Sequence, residues 1–183
     1  MNRQEALTHI KEQVADNNLI KHMLATEAVM KKLAHQFDTS KEKWGLAGLV
    51  HDIDYELTQD SPEEHSLLGA KMLRDLGYDE EIVRAVKVHN DMHGLDQNSL
   101  METALYCSDP LTGLIVAAAL ISPEGSLDSI DTQFVLNRFE DSSFAKGADR
   151  EQIKHCTELG LQLDKFISLG LEAMQEISEE LEL

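Results

Sequence analysis

An all-α, single-domain fold is what this sequence predicts, and three observations carry the prediction. Only three prolines occur in 183 residues, so long helices meet few interruptions. No segment sustains the period-two alternation of a half-buried strand. Helix-start signals instead recur along the chain, each a Ser, Thr, Asp or Asn followed by apolar residues at helical spacing.

Helices are expected over 2–15, 19–37, 41–51, 62–76, 79–89, 99–108, 110–121, 131–139, 149–159 and 161–181. Asn18 precedes the second, whose apolar residues include Ile20, Met23, Leu24, Val29, Leu33 and Phe37. Thr39 with Glu42, Ser61 with Glu64 and Ser99 with Glu102 have the spacing of a capping box. Pro62 after Ser61, and Pro110 after Asp109, stand where proline starts a helix, so the 99–121 stretch is expected as two helices. Asp149 with Gln152 opens another, while 123–129 and 141–147 read as loops. The last helix carries a stripe of Leu163, Ile167, Gly170, Met174, Ile177 and Leu181. Such a face serves either its own core or a dimer seam, and own-domain packing is the expectation. No repeat or composition shift marks a boundary, so 1–183 is expected to be one domain, a monomer or homodimer.

An apolar fraction of 42% is ordinary for a globular chain, and with only 5% aromatics the core must rest on Leu, Ile, Val, Ala and Met. Cys107 and Cys156 lack metal-ligand spacing and read as buried free thiols in a reducing compartment. The start MNRQEALTHIKEQ has no apolar signal region. No apolar run is expected to approach the ~20 residues that cross a bilayer, the strongest being 111–121. A cytoplasmic protein with no membrane partner follows as the expectation. The formal charge of −18 repels a nucleic-acid polymer at long range. It leaves a small phosphorylated substrate open, because a bound metal reverses the local field.

The informative segment is WGLAGLVHDIDYE, in which a nearly all-apolar stretch from Trp44 to Val50 delivers His51 and Asp52 in succession. A buried carboxylate is costly unless paired or ligated, and neutral imidazole is the commonest metal ligand. Alone, such a pair is more often a core histidine beside a turn-capping Asp. His22 on the first long helix, His65, His89 ending the stripe Ile82, Val86, His89, and Asp109 change the balance. Asp109 before Pro110 is also a good N-cap, and His65 near a helix start could be exposed. His9, His35 and His155 lack supporting context, and His93, four residues after His89, is the one to watch.

The order His22, His51–Asp52, Asp109 over successive helices resembles the HD-domain superfamily of metal-dependent phosphohydrolases, across roughly residues 18 to 121. The resemblance implies a helical bundle with a C-terminal helical extension over about 131–183. It implies four ligands to one metal, His22, His51, Asp52 and Asp109. His65 and His89 occupy the places of the two further histidines that bind a second metal in HDIG-type members. Asp54 and Tyr55 stand where that pattern commonly has glycine and lysine, which removes the lysine's phosphate contact. Asn90 after His89 leaves no place for a third metal.

The activity so implied is hydrolysis of an ester or anhydride in a small, nucleotide-like phosphate. Asp52 would bridge two divalent metals, iron or manganese ahead of nickel, zinc or magnesium, with Asp54 orienting the attacking water. Lys87, Lys146 and Arg150 are the candidate phosphate contacts. Two other classes stay open: a di-iron oxygenase on a similar ligand set, and a non-catalytic metal-bound sensor or interaction module.

Overall fold

The computed structural model describes residues 1–183 and contains helices and turns but no strand. The helices are α1 (Arg3–Gln13), α2 (Asn17–Gln36), α3 (Lys41–Val50), α4 (Tyr55–Thr58), α5 (Leu67–Asp75) and α6 (Glu80–Val88), then α7 (Leu100–Leu120), α8 (Thr132–Glu140), α9 (Arg150–Lys154), α10 (Leu163–Gln175) and α11 (Ser178–Leu181). Short 3-10 turns cover Asp91–His93, Leu127–Ser129 and His155–Leu159.

Side-chain caps set most helix starts. Asp16 accepts from the Asn18 amide, so α2 begins before the expected Asn18 cap. Ser40 rather than Thr39 caps α3, by accepting from Lys43 N. Ser99 and Asp149 cap α7 and α9 as their spacing predicts. The 62–76 helix is shortened: residues 62–66 form turns and α5 starts only at Leu67. Ser66 has a left-handed φ of 68°, which no helix accommodates.

α7 corrects two expectations. It runs unbroken through Pro110, so Asp109 lies inside a helix and caps nothing. Pro110 has no N–H for the Tyr106 carbonyl; the Gln152 side-chain amide donates to that carbonyl instead at 2.8 Å. Unbroken, the helix has 21 residues and is long and apolar enough to cross a membrane. Here it is the central rod of the bundle, mostly buried and packed against α2, α6, α8, α9 and α10.

A single cluster of 46 buried apolar residues extends from Ala6 to Leu181, so the C-terminal helices share one core with the rest. The α10 stripe faces that core: Ile167 and Met174 are fully buried. A Cβ on Gly170 would come within 2.8 Å of Leu111 on α7. The expected 161–181 helix breaks after Gln175, and α11 is a separate turn. α2 and α3 approach so closely that a Cβ on Gly48 would stand 2.7 Å from the Thr26 carbonyl oxygen. That crossing sets the distance between His22 on α2 and His51 at the end of α3.

Candidate metal centre

Five stretches of chain converge on one point: α2 brings His22, the turn after α3 brings His51 and Asp52, and α7 brings Asp109. The turn before α5 adds His65, and the end of α6 adds His89. His51, His89 and Asp52 form the buried floor. His22, His65 and Asp109 are partly exposed, and with Asp52 they line an open cavity of about 410 Å³ whose mouth includes Asp16, Leu19, Tyr55 and Gly147.

Asp52 divides the cluster. Its Oδ2 lies 3.6 Å from His22 Nε2 and 3.4 Å from His51 Nε2. Its Oδ1 lies 3.4 Å from His65 Nε2 and 3.5 Å from His89 Nε2. Asp109 Oδ1 closes the first group, 3.0 Å from His22 Nε2 and 3.6 Å from His51 Nε2. The ligand atoms of His22, His51 and Asp109 lie within 4.8 Å of one another, as do those of His51, Asp52 and His89.

The outward nitrogens decide what the inward ones can do. His51 Nδ1 faces the Gly48 carbonyl at 2.9 Å, and His89 Nδ1 faces the Val86 carbonyl at 2.6 Å. His65 Nδ1 faces Asp54 Oδ1 at 3.1 Å. Carbonyls and carboxylates only accept, so each of these rings must carry its proton on Nδ1. His22 Nδ1 meets Thr112 Oγ1 at 3.0 Å; that hydroxyl already donates to the Asp109 carbonyl and so accepts from the ring. Each neutral ring therefore turns an Nε2 lone pair inward, and buried His89 Nε2 has no hydrogen-bond partner. His22 and His51 place two such lone pairs 3.1 Å apart. Positive charge among these atoms reconciles the donor set, as protons on the inward nitrogens or as a metal in their place, and mixed imidazole and carboxylate ligands held from behind suit a divalent transition metal.

The electrostatics agree. Burial disfavours charge on His51, yet the Asp52 and Asp109 carboxylates outweigh it and hold the ring's pKa well above the ordinary value. Burial likewise works against ionised Asp52, but His51, His89 and His22 together keep its pKa well below the usual carboxylate range. Asp109 is lowered in the same way, against its burial, by His22 and His51. The centre of the site attracts positive charge.

Other expected residues lie elsewhere or do other work. Asp54 is fully buried and accepts from Ser66 N and Gly69 N in addition to His65. It cannot orient a water in the cavity, and the catalytic role expected of it is corrected to one behind the ligands. Arg150 is corrected too: its guanidinium donates to six carbonyls, from Arg138 at the end of α8 to Ala148, and folds the 141–148 loop around itself. Lys87 is exposed on α6 and does not line the cavity. Lys146 is exposed beside Gly147, in the loop at the mouth. His93 donates to the His65 carbonyl at 2.7 Å and braces that segment. His9 pairs with Tyr78, His35 is exposed, and His155 lies against Tyr106.

Three contributors escaped the sequence reading. Thr112, three residues beyond Asp109 on the same helical face, was legible only with α7 continuous across Pro110. Gly48 supplies a backbone group and a close approach, with no chemical signature. Gln152 joins the His89 carbonyl at 3.2 Å to the Tyr106 carbonyl across 46 or more positions of chain, and no local pattern announces it.

A family model described as HD domain matches residues 19–120. Among curated proteins, ribonuclease Y of Lawsonia intracellularis is 26% identical over 103 residues, which are 56% of this chain and 20% of that protein. An uncharacterised protein of Methanocaldococcus jannaschii is 31% identical over 94 residues, 49% of this chain and 54% of its own. Ribonuclease Y of Thermosipho melanesiensis is 29% identical over 73 residues, 40% of this chain and 14% of its own. The match thus spans about a fifth of the first relative and about half of the second. No solved structure matches.

Proposed function

The chain belongs to the HD-domain family, and from that membership we propose a metal-dependent phosphohydrolase acting on a small, nucleotide-like phosphate. The observation that carries the reading is Asp52, whose two oxygens face two different histidine groups at the floor of an open cavity. His22, His51 and Asp109 would hold one metal, His65 and His89 a second, with Asp52 shared between them. Iron or manganese suits such a ligand set. A pair of divalent ions supplies Lewis-acid polarisation of a phosphoryl oxygen and a water acidic enough to be hydroxide near neutral pH.

The chain's own residues shape the rest. No lysine or arginine lines the cavity, and Asp16, Asp52 and Asp109 do. Negative charge on the substrate must therefore be met at the metal positions, which favours a single phosphate over a long polyphosphate. Tyr55 is 47% exposed at the mouth, edge-to-face with the His65 ring at 5.4 Å, and offers a surface on which a base can stack. The net charge of −18 and the acidic mouth disfavour an RNA polymer, although two of the relatives are named ribonucleases.

The test is phosphate release from nucleoside mono- and polyphosphates, with an RNA oligonucleotide alongside, by Mn²⁺-loaded protein and its Asp52→Ala variant. Release from a monophosphate by the unmodified protein, reduced to background in Asp52→Ala, is expected. Oxygen consumption without phosphate release would overturn the proposal in favour of an oxygenase. Activity indifferent to Asp52→Ala would point to the non-catalytic module.

A further inference from the structure

His65 is the one ligand histidine whose outward nitrogen rests on a carboxylate. We infer that Asp54 is a positioning residue: by holding the His65 ring with its proton on Nδ1, it makes His65 a ligand and governs occupancy of the second metal position. The inference rests on the metal-site reading above and not on the choice of substrate.

Asp54 is fully buried, and its two oxygens are occupied by three N–H donors. Oδ1 meets His65 Nδ1 at 3.1 Å, and Oδ2 accepts from Ser66 N at 2.9 Å and Gly69 N at 2.7 Å. The surroundings are shaped to this carboxylate. A Cβ on Gly69 would come within 2.9 Å of Asp54 Oδ1. Ser66 adopts a φ of 68°, uncommon outside glycine, in the conformation that presents its N–H to Oδ2. The Ser66 hydroxyl in turn donates to the Lys87 carbonyl and ties this turn to α6, two residues before His89.

The chemistry separates this role from packing. Asparagine has the size of aspartate but only one acceptor oxygen. The Ser66 and Gly69 amides can only donate, so that oxygen must take the Oδ2 place. The NH2 group then faces His65 Nδ1, which must accept. The ring proton moves to Nε2, the atom 3.4 Å from Asp52 Oδ1, and the lone pair that would bind a metal is lost. His22, His51 and Asp109 do not touch Asp54 and keep their arrangement.

The test uses the full chain, labelled with ¹⁵N-histidine, and Zn²⁺ as a diamagnetic probe. Ring-nitrogen NMR of the unmodified protein should show His65 protonated on Nδ1. In Asp54→Asn the proton should appear on Nε2, with one Zn²⁺ equivalent retained at unchanged affinity and the other weakened about 10–100-fold. Two unchanged Zn²⁺ affinities in a folded Asp54→Asn protein would overturn the inference. So would a His65 Nδ1 without a proton in the unmodified, Zn²⁺-free chain, a result that does not depend on the variant folding. Phosphate release is not read, so failure of the substrate proposal would leave this outcome standing. Unchanged Zn²⁺ binding beside Asp52-dependent hydrolysis would reject this inference alone.

Discussion

Asp52 and Asp54 stand two residues apart on one turn, yet they meet different neighbours and carry different chemistry. Asp52 faces the Nε2 atoms of four imidazoles, whereas Asp54 faces three N–H donors behind the ligand shell. The two cysteines show the same dependence on surroundings. Burial pushes the Cys107 thiol well up, and it pushes Cys156 to about 11. A raised thiol pKa keeps the neutral S–H form at pH 8, and both side chains are fully enclosed. A thiol-specific disulfide reagent at pH 8 should therefore find no reactive cysteine in the native protein and two after denaturation. Rapid reaction of either thiol in the folded state would contradict the burial described.

At the scale of elements, α7 and the α2–α3 crossing position the ligands. Asp109 reaches the site because α7 continues through Pro110, and Gln152 supplies the donor that proline lacks. Gln152→Ala leaves the Tyr106 and His89 carbonyls short of a partner and should cost about 1–3 kcal/mol of stability. Adding Pro110→Ala restores a backbone N–H opposite Tyr106, so the double variant should lose less than the two single effects summed. Denaturant unfolding of the four proteins checks this, and strict additivity would sink it. Gly48 acts by what it lacks: a Cβ there meets the Thr26 carbonyl oxygen at 2.7 Å. Gly48→Ala should separate α2 from α3, cost about 1–3 kcal/mol through overpacking, and weaken metal binding by moving His22 away from His51. Retention of both stability and Mn²⁺ affinity in Gly48→Ala would contradict that account.

For the whole molecule, the site is a junction of chain segments that the apolar core and the hydrogen bonds behind the site hold at fixed distances. The candidate ligands come from α2, α6, α7 and the turns beside α3 and α5, and a bound ion would tie these parts together. A metal that binds only the folded chain should add roughly 4 kcal/mol at a free concentration of about 1,000 Kd. For a chain of this size that corresponds to a rise in Tm on the order of 10 °C. Calorimetry before and after chelation, followed by Mn²⁺ addition, should show the loss and its recovery. An unchanged Tm would mean that the cluster holds no ion tightly.

Much of this was legible in the sequence. The helical class follows from apolar spacing, the scarcity of proline and the caps at Ser99 and Asp149, all local features read within a few residues. The candidate ligands His22, His51, Asp52, His65, His89 and Asp109 stand out by their places on apolar faces or helix ends, and the fold brings their side chains together. Tertiary structure alone decided that Asp54 faces away from the cavity, that Arg150 serves a loop, and which nitrogen of each ring faces inward. It also decided that α7 does not stop at Pro110. Those outcomes depend on partners distant in the chain: His22 on Thr112, 90 positions away, and Tyr106 on Gln152, 46 away. Helical periodicity reports on neighbours three or four residues apart. The identity of a ligand is a local property, whereas the tautomer and the unbroken helix that make it a ligand are set by contacts that exist only once the bundle closes.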